Sequence, residues 1–160
     1  MSDKKAAVLL ADGYEEGESL FLADILRRTG VGCDTVSIED EMVRGCHDMY
    51  VKADRRIKDV DYNEYDMVII PGGMPGAANL DACKTVDAAL KAASRRGAFM
   101  AAICAAPFVL GKRGLLQGKR AVCYPGFEGE LEGAMVSEGE TVVRDGNVIT
   151  AKGMGVAFEF

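Results

Sequence analysis

Unbroken apolar runs alternate along the chain with stretches in which apolar residues recur every three or four positions. Residues 6–10 (Ala-Ala-Val-Leu-Leu), 66–70 (Asp-Met-Val-Ile-Ile) and 98–103 (Ala-Phe-Met-Ala-Ala-Ile) are runs of the first kind, expected of strands covered on both faces. Leu20, Phe21, Ala23, Ile25 and Leu26 follow a helical spacing that stops at Thr29-Gly30, and residues 33–37 then begin a second strand. Val86, Ala89, Leu90 and Ala93 mark one stripe of a helix over 85–96, which leads through Gly97 into the run at 98–103. Strand, helix and strand repeated in this order give a mostly parallel sheet of the α/β class. Weaker signals put short edge strands at 42–43 and 49–51, a strand at 120–124 and a short helix at 127–131. Residues 71–76, Pro-Gly-Gly-Met-Pro-Gly, are too rich in Gly and Pro for either element and form a loop at a strand's carboxyl end. Asp145-Gly146 between alternating segments at 141–144 and 147–151 marks a hairpin. Residues 156–160 read as the first turn of an apolar helix that stops short, so a shortened or fragmentary chain is expected there.

With 160 residues and no Pro-, Gly- or Ser-rich linker, one domain over 1–160 is expected. Net charge is −6, and the basic pairs Arg27-Arg28, Arg55-Arg56 and Arg95-Arg96 are scattered, which gives no concentrated footprint for nucleic acid. No apolar run approaches a membrane span, and 6–11 is too short for a signal segment. Five cysteines without a CxxC pair, beside a single histidine, give no zinc-ligand spacing and suit reduced thiols in the cytoplasm.

The run at 98–103 ends on Cys104, and a helix-like segment over 107–113 follows at once. A strand, a tight corner and a helix form a nucleophile elbow, here with cysteine in the serine's place, and Ala102, Ala105 and Ala106 leave room for the turn. A thiolate at a helix start gains from the unpaired N–H groups, so Cys104 is expected to be the most acidic of the five thiols. The alternative is a buried cysteine acting as a small hydrophobe. Glu15, Glu16 and Glu18 crowd the first helix start, where the dipole alone accounts for acidic side chains; one of them facing Cys104 would instead be raised in pKa and could donate to the sulfur. Gly72, Gly73 and Gly76 allow close backbone approach to a substrate. In open α/β sheets the loops at 12–18, 71–76 and 104–107 should converge at the strands' carboxyl ends.

Four motifs in this order, AxGxEExE at 11–18, PGGxxG at 71–76, AAICAxP at 101–107 and RDGNVITAKGxGxAFEF at 144–160, resemble the ThiJ/PfpI superfamily, in the branch of the Parkinson-linked protein deglycase and its bacterial relatives. The resemblance implies a flavodoxin-like three-layer sandwich, a homodimer, and an activity on small α-oxoaldehydes or their adducts with no metal or organic cofactor. By the same resemblance Cys104 is the nucleophile and Glu18 its protonated partner, while Gly73 and Ala105 supply oxyanion donors beside Gly72. Arg28 matches a position near the pocket and dimer interface. Tyr124 stands where the family often has histidine, and Ala105 where the protease-like branch has one, which argues against a peptidase. A redox sensor or stress-responsive chaperone that uses oxidation of Cys104 is the alternative. His47, the only imidazole, is expected at a surface or interface rather than as a relocated base.

Overall fold

A computed structural model describes residues 3–160; Met1 and Ser2, included in the domain expected over 1–160, lie outside the described residues. The chain runs from β1 (Lys5–Leu10) through α1 (Glu16–Arg28), β2 (Gly32–Ser37), β3 (Met42–Arg44) and β4 (Tyr50–Lys52) to β5 (Arg55–Arg56). β6 (Met67–Ile70), α2 (Gly76–Ala82), α3 (Lys84–Arg96), β7 (Phe99–Ile103) and α4 (Pro107–Gly111) follow. β8 (Arg120–Ala121), β9 (Met135–Val136), β10 (Val142–Asp145) and β11 (Val148–Ala151) come last.

Seven strands form one sheet in the order β10-β11-β7-β6-β1-β2-β5, parallel throughout except for the β10–β11 hairpin. Side chains of a strand alternate between faces, and here both faces are covered. Ala7, Leu9, Val68, Ile70, Met100 and Ala102 join the core that includes Leu80 of α2, Leu90 of α3 and Leu110 of α4. Ala6, Val8, Leu10, Ile69 and Ala101 join the core built with Leu22 and Ala23 of α1. Burying each Leu, Ile or Val contributes about 1.5–3 kcal/mol, so the unbroken apolar runs are what a flavodoxin-like three-layer arrangement demands. From β1 the order runs to β2 on one side and to β6 on the other. The crevice at such a switch point is where ligands bind in open α/β sheets.

Several expected elements differ. The strand expected over 120–124 is limited to β8, which pairs with β9 outside the main sheet. Beyond it Val122 N–H is taken by the Thr150 hydroxyl at 3.0 Å and Tyr124 N–H by the Cys104 carbonyl at 2.7 Å, so the backbone fastens the elbow instead of extending a ladder. The segments expected as edge strands form a separate antiparallel hairpin, β3–β4, and the edges of the main sheet are β5 and β10. α2 was hidden by its own sequence, a seven-residue helix opened by Gly76 behind a proline. A 3-10 turn at Glu128–Glu130 replaces the helix expected over 127–131, and another at Met154–Val156 occupies the start of the last apolar segment.

Candidate active site

Cys104 follows β7 directly and has φ +64°, a left-handed conformation that costs a residue with a Cβ about 1–2 kcal/mol. Its surroundings hold it there. The Cys104 N–H donates to the Ala151 carbonyl at 2.9 Å, its carbonyl accepts from Tyr124, and Ala106 N–H closes the turn onto Ile103 at 3.1 Å. The sharp corner turns the side chain out of the sheet toward the loop after β6.

Glu18 meets it from α1. Only 1% exposed, it accepts a hydrogen bond from Gly72 N–H at 2.8 Å through Oε2, while Oε1 is buried without a hydrogen-bond partner among the described residues. Burial pushes the Glu18 carboxyl up to about 7, against the pull of Gly72 N–H and Cys104 and with the help of the Glu15 charge. Gly72 explains how thiol and carboxyl come so close. A Cβ there would lie 2.5 Å from Cys104 Cβ, 2.6 Å from Glu18 Oε2 and 3.1 Å from Cys104 Sγ. Gly73, at φ +87°, leaves no room for a Cβ either, because Glu15 N would be 2.4 Å away.

Burial first, and then the Glu18 charge, push the Cys104 thiol up to about 12, while the N–H groups of Ala105 and Gly73 pull the other way. The direction is opposite to the lowered pKa expected of a thiol at a helix start. α4 has five residues and starts at Pro107, too short and too far along to outweigh desolvation and a neighbouring carboxylate. Thiol and carboxyl instead form one titrating pair in which a proton on either group favours charge on the other.

The N–H groups of Gly73 and Ala105 thus favour the ionised sulfur, and Tyr124 holds the elbow through its backbone. The Tyr124 side chain is half exposed, and its Cδ2 lies 3.4 Å from where a Cβ on Gly153 would stand; Glu18 Oε1 lies 4.0 Å from that same point. Within a single chain Arg28 lies away from this pocket. It sits ten residues beyond Glu18 at the far end of α1, about 15 Å along the axis at 1.5 Å per residue, and it is paired with Asp24 at 2.7 Å. The geometry is that of a desolvated thiol with a proton-carrying carboxyl beside it.

The DJ-1/PfpI family matches residues 4–160. The chain belongs to the DJ-1/PfpI family. It is 35% identical over 99% of its length to Protein DJ-1 homolog B of Arabidopsis thaliana, of which it spans 37%. Identity is 33% to the Glutathione-independent glyoxalase DJR-1.2 of Caenorhabditis elegans, with all of this chain and 87% of that one covered. It is 30% to the Deglycase PYRAB04690 of Pyrococcus abyssi, over 92% of this chain and 89% of that one. The solved structure of oxidized Toxoplasma gondii DJ-1 superposes with a TM-score of 0.92 at 40% identity, covering 98% of this chain and 85% of that one.

Two features of this DJ-1/PfpI chain emerge only from the fold. Gly153, in the loop after β11, lies beside both Tyr124 and Glu18. The second is a cluster beside the pocket: Cys46 and His47, on the loop between β3 and β4, lie against Glu15 and Glu16. A parallel bridge between Tyr14 and Gly45 brings that loop onto the start of α1, a contact between segments some thirty residues apart that no local pattern announces.

Proposed function

We propose that the chain is a cysteine-dependent enzyme of the glyoxalase or deglycase type that acts on small α-oxoaldehydes or their adducts. The observation that carries this reading is the enclosure of Cys104 Sγ by the Glu18 carboxyl and the N–H groups of Gly73 and Ala105. The sulfur of Cys104 adds to the aldehyde carbon, the carbonyl π pair moves onto oxygen, and the S–H proton passes to Glu18. Returning that proton to the new alkoxide completes a hemithioacetal. A carboxyl near pKa 7 is matched to taking and giving a proton at neutral pH, and two N–H groups beside the sulfur are placed to stabilise developing negative charge. The step uses a thiol and a carboxyl and requires no cofactor. The relatives named glyoxalase and deglycase support the same class.

Tyr124 in place of an imidazole favours a second reading, in which peroxide oxidises Cys104 stepwise to a sulfinate held by Glu18 and the chain senses oxidation or acts as a stress-responsive chaperone. Proton NMR of methylglyoxal with the protein and no glutathione separates the two. The enzyme reading expects lactate formed by the protein and none above background by Cys104→Ser; equal rates for the two proteins would overturn it.

The reading further includes a cytoplasmic homodimer that binds a small carbonyl substrate and neither nucleic acid nor membrane. In support, no helix among the described residues is long and apolar enough to cross a membrane, and the net charge is −6. Phe21, Met49, Met154 and Phe158 are exposed in one apolar depression beside α1, which suits a second copy of the chain.

A further inference from the structure

We propose that Glu15, Glu16, Cys46 and His47 form a tetrahedral site for a borderline-soft divalent cation of the Zn2+ type. Their four donor atoms all lie within 4.8 Å of one another. Cys46 Sγ is 3.1 Å from Glu15 Oε2, 3.5 Å from Glu16 Oε2 and 3.2 Å from His47 Nδ1. His47 Nδ1 is 2.9 Å from Glu16 Oε2 and 3.6 Å from Glu15 Oε2. The edges of a zinc tetrahedron with sulfur, nitrogen and oxygen ligands are about 3.3–3.6 Å, as its bond lengths of about 2.0–2.3 Å require. The donors therefore stand near coordination spacing already.

The supporting contacts are also in place. Each carboxylate commits its other oxygen to the backbone: Glu15 Oε1 accepts from Gly17 N–H at 3.3 Å, and Glu16 Oε1 accepts from His47 N–H at 2.8 Å and from Met49 N–H at 3.4 Å. Such outer contacts orient ligands in metal sites. Glu16 is 3% exposed, and a Cβ on Gly45 would fall 2.1 Å from its Oε1, so the loop is shaped around this side chain.

Thiolate and imidazole ligands favour Zn2+ and its neighbours over Ca2+ or Mg2+, which take oxygen sets. Binding expels the Cys46 proton to solvent and fastens the β3–β4 loop to the start of α1. No zinc-ligand spacing is visible along the chain because the two pairs of ligands are about thirty residues apart and are joined only by the fold.

Cobalt titration of the chelator-stripped chain tests the site. One equivalent of Co2+ is expected, with the red d–d bands of a tetrahedral centre and a thiolate-to-cobalt charge-transfer band, and Zn2+ should displace it. Cys46→Ser should remove the charge-transfer band, and it and His47→Ala, whose parent side chain is 63% exposed, should each weaken Zn2+ binding at least about tenfold. Cys104→Ser should leave the spectrum and the affinity unchanged. Absence of stoichiometric binding, a charge-transfer band that survives Cys46→Ser, or one lost in Cys104→Ser would overturn the proposal.

Discussion

Glu18 is the residue on which the chemistry and the stability of this chain meet. Its folded pKa of about 7 lies above the ordinary value of 4.5, so the folded state prefers the protonated carboxyl. The sign follows: its stabilising contribution is complete below the unfolded pKa and is lost as pH rises through about 7. A shift of this size corresponds to about 3 kcal/mol. Urea unfolding of the chelator-treated protein should show stability falling by that order between pH 5 and pH 8.5. Glu18→Gln, neutral at every pH, should lack this part of the slope and exceed the parent in stability at the alkaline end. An identical slope in the two proteins would mean that Glu18 ionises freely.

Among the elements, the loop after β6 decides whether thiol and carboxyl can meet. Gly72→Ala would set a methyl 2.5–2.6 Å from Cys104 Cβ and Glu18 Oε2, and overpacking of this kind costs about 1–3 kcal/mol. The variant should stay folded by circular dichroism, melt lower, and lose α-oxoaldehyde turnover by at least tenfold; full activity would show that close approach through Gly72 is unnecessary. Such elements were legible where burial was two-sided: β1, β6 and β7 are apolar runs that both core faces require, and Cys104 stands out because one of those runs stops at it. What stayed hidden depends on contacts across the chain. β8 is short because Thr150 and Cys104 capture the backbone beyond it. The thiol pKa rises because burial and then the Glu18 charge outweigh a five-residue helix, and the Cys46–Glu16 cluster exists only because Tyr14 bridges to Gly45.

At the scale of the whole molecule, the switch point between β1 and β6 gathers the start of α1 with Glu18, the loop with Gly72 and the corner with Cys104 on one end of the sheet, while α1 turns Phe21 outward to meet Phe158 with ring centroids 6.1 Å apart. Such a patch suits self-association. Sedimentation equilibrium at micromolar concentration should report a dimer that Phe21→Glu shifts toward monomer, whereas a monomeric parent would remove the homodimer from the proposed function. The central claim, that Cys104 is the attacking atom and Glu18 the group that moves its proton, is tested most directly by turnover in the two conservative variants. Glu18→Gln keeps a hydrogen-bond donor beside the sulfur but cannot take the S–H proton, so with carbon-13-labelled methylglyoxal both it and Cys104→Ser should form labelled lactate no faster than buffer alone while keeping the parent's circular dichroism. A Glu18→Gln or Cys104→Ser protein that turns over at the parent's rate would contradict it.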